Sequence, residues 1–260
     1  MQNPLAEVNT PDRRWITDEM RLDEIRRIIN EAPRPFFVNV HTMGTHGELF
    51  RTSQRVYSTE DDYPVPWSID GYDDAIMDFD RHVEQIYRML ADAGILESTV
   101  LIVSSDHGFN HNGLERLPML LRLPGAGRNG TIGGNTQRLD IAPTLLDILG
   151  IGRPDWMEGR SMLEPVSADF ERQTVFATGS SGDKTVVDDR WRIKTPAPPW
   201  YSLGRLFLIH CNQGFVLHLA DMTIQGGRIE GSTMACTSAL SLDQAREIML
   251  AHLLDKGYSW

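Results

Sequence analysis

Asp106, His107 and His111 fall within one six-residue stretch, directly after the apolar run Thr99-Val100-Leu101-Ile102-Val103. A carboxylate offers a hard oxygen and an imidazole a borderline nitrogen, a pairing that suits a divalent ion such as zinc or manganese. A second pair, His41 and His46, follows another apolar run, Phe36-Phe37-Val38-Asn39-Val40. Imidazoles titrate near neutrality and can hold or pass a proton. The same residue types also build ordinary turns, with Asp106 capping a loop and the histidines facing water. His41 could equally be a strand-end histidine bonded to backbone.

The elements that must position these side chains can be read from hydrophobic spacing. Both apolar runs are short and β-branched or aromatic, which predicts strands at 36–40 and 99–103, buried on both faces as in parallel sheets. Between them, Ile76, Phe79, Val83, Ile86 and Leu90 recur at three and four, which predicts a helix over 72–93 ended by Gly94. Strand, helix and strand make a βαβ unit with parallel strands and a right-handed crossover. The loops after the two strands then leave the same sheet edge, so Asp106 and the four histidines converge across about 60 residues of sequence, as the crossover rule implies. Ligands in open α/β sheets sit at that edge.

Around this unit, Thr17 or Asp18 caps a helix to about Asn30, stopped by Pro33 and Pro35. Residues 48–70 form a long polar loop with Tyr57, Tyr63 and Trp67, a length that points to a functional loop. Residues 118–123 are apolar, and a helix from Asp140 with Pro143 in its first turn runs to Gly150. Beyond residue 166, short strands at 175–177, 185–187, 191–193, 206–209 and 215–217 are separated by turn residues, which predicts antiparallel hairpins. A last helix starts at Ser241, with Gln244 completing a capping box. The expected organisation is a 1–165 α/β domain, mainly parallel sheet flanked by helices, and a 166–260 small antiparallel α+β subdomain.

Composition sets limits. The chain has 25 basic and 36 acidic residues, a net charge of −11, which leaves no basic surplus for a nucleic-acid backbone. No stretch approaches the roughly 20 apolar residues of a membrane span, and residues 1–10 lack the pattern of a signal peptide, so the default expectation is cytoplasmic. Cys211 and Cys236 read as two buried thiols rather than a disulfide. His82, His210, His218 and His252 receive no site role. Asp73, Asp74 and Asp80 read as cap and solvated-face charges, since acids favour a helix's first turn, and Arg138 reads as a helix-start residue.

The order of landmarks is itself informative. A Phe-Phe strand and a His-rich loop are followed by Tyr72-Asp73-Asp74-Ala75-Ile76, with Asp80 inside that helix. Then come Val103-Ser104-Ser105-Asp106-His107-Gly108, Leu117-Pro118-Met119-Leu120-Leu121, Leu139-Asp140-Ile141-Ala142-Pro143-Thr144 and Glu158-Gly159-Arg160-Ser161-Met162-Leu163. This order resembles the sulfatase family of the alkaline-phosphatase superfamily, clearly over 34–165 and loosely beyond. The resemblance implies an alkaline-phosphatase-like fold and hydrolysis of a small anionic ester, sulfate or phosphate, at a divalent metal ion (calcium, zinc or manganese). By the same resemblance Asp106 and His107 are metal ligands, and His46 contacts the ester and helps the leaving oxygen depart. His41-Thr42-Met43-Gly44-Thr45-His46-Gly47 is similar to the His-x-x-Gly-Ser/Thr-His-Gly loop of phosphoethanolamine transferases, which makes His41 a second site histidine. His111 resembles a histidine that often follows the metal motif.

Other family parts have no counterpart. Neither cysteine lies in the Cys/Ser-x-Pro-x-Arg motif whose first residue becomes the formylglycine nucleophile, and Asn9-Thr10-Pro11-Asp12-Arg13 only mimics it. The further aspartate ligands and the lysine after the metal motif are absent, with Arg116 nearest. The chain therefore resembles the C-terminal part of a sulfatase. Three readings follow: a sulfatase-type hydrolase with its nucleophile elsewhere, a phosphotransferase or phosphodiesterase of the same superfamily, or a non-catalytic anion-binding homologue.

Overall fold

The computed structural model describes residues 17–47, 50, 52–59, 65–109, 113–125, 129–164, 174–180, 184–187, 190–193, 198–200, 203–229, 231–232 and 239–260. The chain divides into two compact units, Met1–Val103 with Leu120–Arg128, and Ser104–Met119 with Asn129–Trp260.

The first unit is built on two helices, α1 (Asp18–Glu31) and α2 (Ile69–Asp92). Thr17 caps α1 by accepting from the Met20 amide at 3.2 Å, and Ser68 caps α2 by accepting from Gly71. Each cap satisfies an amide that the helix itself leaves unpaired. Leu22, Ile25 and Ile29 of α1 pack with Met89 and Leu90 of α2 and with Ile95 and Leu96 just beyond it. Burying each such side chain contributes about 1.5–3 kcal/mol. Gly94, with φ of +68°, ends α2 in the left-handed conformation that glycine adopts without a steric penalty.

Two sequence expectations change here. Residues 36–40 are extended but pair with no strand among the described residues, and Phe37 is 78% exposed. The apolar run supplies strand propensity, but a strand exists only where a neighbour completes its ladder, and none does among the described residues. On α2, Ile76 and Tyr87 of the apolar stripe are exposed, whereas Asp74, Ala75, Asp78 and His82 are buried. Periodicity locates an apolar face but cannot say which face the rest of the unit covers.

Strands β1 (Leu101–Ser104) and β2 (Met119–Arg122) form a two-stranded sheet. In the second unit, α3 (Ile141–Ile148) precedes β3 (Thr174–Ser180), β4 (Lys184–Val187), β5 (Arg190–Ile193), β6 (Leu203–His210), β7 (Gln213–His218) and β8 (Thr223–Arg228), and α4 (Leu242–Asp255) follows. The order β3-β6-β7-β8 makes an antiparallel sheet, and β4-β5 makes a separate antiparallel hairpin. The mainly parallel sheet expected from the βαβ reading is not seen among the described residues, because the strand at 36–40 that would anchor it is not formed. The hairpins expected beyond residue 166 are present. The β6–β7 turn is shorter than expected: Cys211 and Asn212 alone connect the paired His210 and Gln213. Cys211, with φ of +50°, takes the left-handed position of a two-residue turn.

The four-stranded sheet is covered on both faces. Leu206, Leu208, Phe215 and Leu217 meet Ala245, Met249 and Leu253 of α4. On the other face, Phe207 lies against Gly113, where an added Cβ would stand 2.6 Å from its ring, and Leu114 lies over Gly214. The segment that follows the Asp106-His107 motif is therefore packed on the small C-terminal sheet.

Candidate active site

The Asp106-His107 turn begins where β1 ends. The Asp106 carboxylate accepts the His107 amide at 3.0 Å, and the Ser105 hydroxyl donates to the His107 carbonyl at 2.6 Å. His107 Nδ1 lies 2.9 Å from the Gly108 carbonyl oxygen. A carbonyl can only accept, so Nδ1 carries a proton and Nε2 is the nitrogen left to face a ligand. Fixing the tautomer through the distal nitrogen is how metal-ligating histidines are oriented. His107 Nε2 stands 3.6 Å from Asp106 Oδ2, on side chains 30% and 49% exposed. An oxygen donor and an imidazole nitrogen thus face solvent side by side. Their chemistry fits a divalent cation, but two donors do not complete a coordination shell. Among the described residues no group of three or more His, Cys, Asp or Glu is arranged to hold a metal ion.

The Glu115 side chain lies directly against the glycine of the motif. A Cβ on Gly108 would stand 1.9 Å from Glu115 Oε2. Arg116 donates to the Gly231 carbonyl at 2.6 Å, tying the end of this segment to the far side of β8.

His41 and His46 lie in the first unit, both exposed, on a loop held by α1. Asp18, in the first turn of α1, accepts the Met43 amide at 3.0 Å and the Gly44 amide at 2.8 Å, with Arg21 on its Oδ1 at 2.5 Å. The His46 amide closes a turn onto the Met43 carbonyl. Gly47 follows with φ of +107°, a conformation that L side chains rarely adopt. The structure therefore sets His41 and His46 on one loop and Asp106 with His107 on another. His111 lies outside the described residues.

Asp74, which the sequence reading placed on a solvated face, and Asp78, which it did not single out, do more than cap. Asp74 is fully buried and accepts the amides of Val56, Tyr57 and Ser58 at 2.8, 2.9 and 3.1 Å and the Ser58 hydroxyl at 2.5 Å. Burial pushes its pKa up, but the Ser58 hydroxyl and the three amides outweigh burial and hold it at about 2. One turn on, Asp78 accepts the amide and hydroxyl of Ser53 and pairs with Arg81. Burial again opposes, and these donors keep its carboxyl below the ordinary range. The spacing of Asp74 and Asp78, one helical turn apart beside Ala75, was the sequence signal for a second, polar, buried face.

The motif residues of the second unit form a staple. Asp140 accepts the Gln137 amide at 2.9 Å and the Arg160 amide at 3.1 Å. The Thr144 hydroxyl donates to the Asp140 carbonyl at 2.6 Å and accepts the Met162 amide at 2.9 Å. Gly159, φ +81°, passes so close to Leu139 that a Cβ would stand 2.3 Å from its carbonyl oxygen. Leu139–Thr144 and Glu158–Leu163 are thus bound to each other, which accounts for their occurring together.

The fold, a helical unit with carboxylate-held loops and an Asp106-His107 turn whose following segment packs on an antiparallel sheet, is alkaline-phosphatase-like. A phosphonate monoester hydrolase from Silicibacter pomeroyi superposes with a TM-score of 0.53 at 21% identity, over 72% of this chain and 40% of that one. The Sulfatase family model matches residues 2–151, more than half the sequence, and the chain belongs to that family. An extracellular sulfatase SULF-1 homolog of Drosophila melanogaster is 34% identical over 97 residues, 32% of this chain and 9% of the relative. Lipoteichoic acid synthase 1 of Bacillus subtilis is 26% identical over 145 residues, 47% of this chain and 22% of the relative. The chain thus spans less than a quarter of the length of these curated relatives. No helix among the described residues is long and apolar enough to cross a membrane.

Proposed function

We propose that this chain carries part of the active site of a metal-dependent sulfuric ester hydrolase acting on a small anionic ester. The observation that supports it is the Asp106-His107 turn, where an oxygen and an imidazole nitrogen lie side by side within the residues that the Sulfatase family model matches. Asp106 and His107 Nε2 would hold the divalent ion, with the remaining ligands coming from beyond the described residues. When bound, the ion supplies positive charge opposite the ester oxygens. His46 would donate its proton to the leaving alkoxide as the bond to sulfur breaks, with His41 and His111 as further donors to the ester oxygens. The attacking nucleophile belongs to polypeptide outside this sequence. One fact supports this: the relatives extend far beyond the matched segment.

The test is to assay the chain alone and joined to the reading frame upstream of Met1, on 4-nitrophenyl sulfate and 4-nitrophenyl phosphate. Sulfate turnover in the joined protein should fall at least about 100-fold in His46→Ala and Asp106→Asn, the range expected for lost proton transfer or charge stabilisation. Asp106→Asn should also lower bound metal. Unchanged turnover in His46→Ala would remove its assignment. The His41–Gly47 loop and the lipoteichoic acid synthase likeness favour one second reading, a phosphotransferase or phosphodiesterase of the same superfamily. A preference for the phosphate ester would select it.

A further inference from the structure

Asp18 stands at the first position of α1, where an acid ordinarily serves the helix's own amides. Thr17 already fills that role, its hydroxyl accepting the Met20 amide, which leaves the Asp18 carboxylate for other partners. It reaches 25 and 26 residues along the chain, accepting the Met43 amide with both oxygens, at 3.0 and 3.1 Å, and the Gly44 amide at 2.8 Å. Its side chain is only 10% exposed, and Arg21, one turn on in α1, pairs with it. The Met43 carbonyl in turn accepts the His46 amide at 3.1 Å. Two links therefore connect α1 to the backbone of His46. Val40, His41, Met43 and His46 are all exposed, so the loop gains little apolar burial to offset the entropy of ordering it.

We propose that Asp18 is the positioning residue for His46. It holds the 43–46 turn on α1, so that the exposed imidazole keeps one place relative to the helix. This role rests on the hydrolase reading above, in which His46 gives its proton to the leaving oxygen. That oxygen keeps the electron pair of the breaking bond and takes the proton, so a donor displaced by about 1 Å can cost about 100-fold in rate. Leu22, Ile25 and Ile29 anchor α1 in the core of its unit, which makes the helix the rigid support that such placement requires. A carboxylate suits the task. Its two oxygens take both amides at once, and its charge strengthens each bond, whereas a side-chain amide has one accepting oxygen and would turn its own N–H groups against the second amide.

Amide hydrogen exchange on the whole chain tests the hold. In Asp18→Ala the Met43, Gly44 and His46 amides should exchange at least about ten-fold faster, while those of Ile25 and Ile29 stay unchanged. Asp18→Asn, which keeps one accepting oxygen, should fall between, and Glu24→Gln, which removes another paired carboxylate from the same helix, should match the parent. Turnover in the protein joined to its upstream reading frame tests the consequence. Asp18→Ala should lower kcat about ten-fold on 4-nitrophenyl sulfate and several-fold more on phenyl sulfate, whose more basic leaving oxygen depends more on a placed proton donor, with KM within about two-fold of the parent. In a His46→Ala background the substitution should cost nothing further, because the group it places is gone. Unchanged exchange at the three amides, in either variant that circular dichroism shows to be folded, overturns the proposal. So does an equal loss on both esters, or a loss that persists without His46, since a merely structural residue would give either. Failure of the hydrolase reading looks different: the unaltered joined protein turns over neither ester, or His46→Ala turns over as fast as the parent. Either result removes the role of Asp18 in turnover, while the exchange rates still decide whether it holds the loop.

Discussion

Asp74 and Asp140 are equally hidden from water, at 0% and 1% exposure, yet their ionisation is pushed in opposite directions. Asp74 sits at about 2, because a hydroxyl and three amides converge on one carboxylate and outweigh its burial. Asp140 is raised: burial dominates, two amides and the Arg160 charge only partly offset it, and Glu164 adds repulsion. Burial alone does not decide the charge of an acid. The number of donors aimed at it does. Asp74 is a fixed anion around which a loop is wound. Asp140 is a tether that holds two strips of chain with less help.

The sharpest way to break this contrast is Asp74→Ala. It leaves three amides and a hydroxyl without their acceptor, and the cost should be about 3–5 kcal/mol, the range for uncovering a buried, hydrogen-bonded charge site. Urea denaturation would read the loss. Hydrogen exchange should show the Val56, Tyr57 and Ser58 amides losing protection first. Protection unchanged at these three amides would mean that Asp74 does not hold the loop.

Gly159→Ala should be next, at about 2–4 kcal/mol, since both the positive φ and the contact with the Leu139 carbonyl forbid a side chain. A variant as stable as the parent would show that Asp140 and Gly159 are not one staple. Asp140→Asn should be mildest, about 1–2 kcal/mol, because the amide oxygen keeps one of the two backbone amides and loses the other, while the buried charge is gone.

The pH dependence sharpens the same pair with opposite signs. For Asp74 the folded value lies below the unfolded one. Its contribution is complete above the ordinary carboxylate value near 4 and is lost as pH falls toward about 2. For Asp140 the folded value lies above the unfolded one. Stability is therefore lost as pH rises from the ordinary value to the raised one, and Asp140→Asn should flatten that part of the curve. Stability profiles in urea from pH 2 to pH 7 would read both, and parallel profiles for the two variants would contradict the contrast.

Local chemistry was legible in the residues. Thr17 and the Ser241–Gln244 box lie where helices start, because a cap is decided within four residues; Ser68, which starts α2 three residues before the expected helix, was read as loop. The hairpins beyond 166 were readable for the same reason. Strand β8 was not: Thr223–Arg228 contains two glycines and a mostly exposed pattern, and it is a strand because β7 offers it a ladder. The stretch at 36–40 failed in the reverse sense, with propensity present but no partner among the described residues. Asp74 was misread because its donors lie 16 to 18 residues away in a loop with no period. At the candidate site, residue types and order pointed to Asp106, His107, His41 and His46. The Nδ1–H of His107 and the Asp18 clamp depend on backbone geometry that spacing does not encode.

The contact of Phe207 with Gly113, and of Leu114 with Gly214, bears on how such a protein can be cut or recombined. A boundary drawn by eye between the Asp106-His107 turn and the small C-terminal layer would saw through the floor on which the segment after that turn rests. Any chimaera that exchanges that layer must carry a residue without a side chain opposite each bulky one, or the turn above it will shift with its foundation.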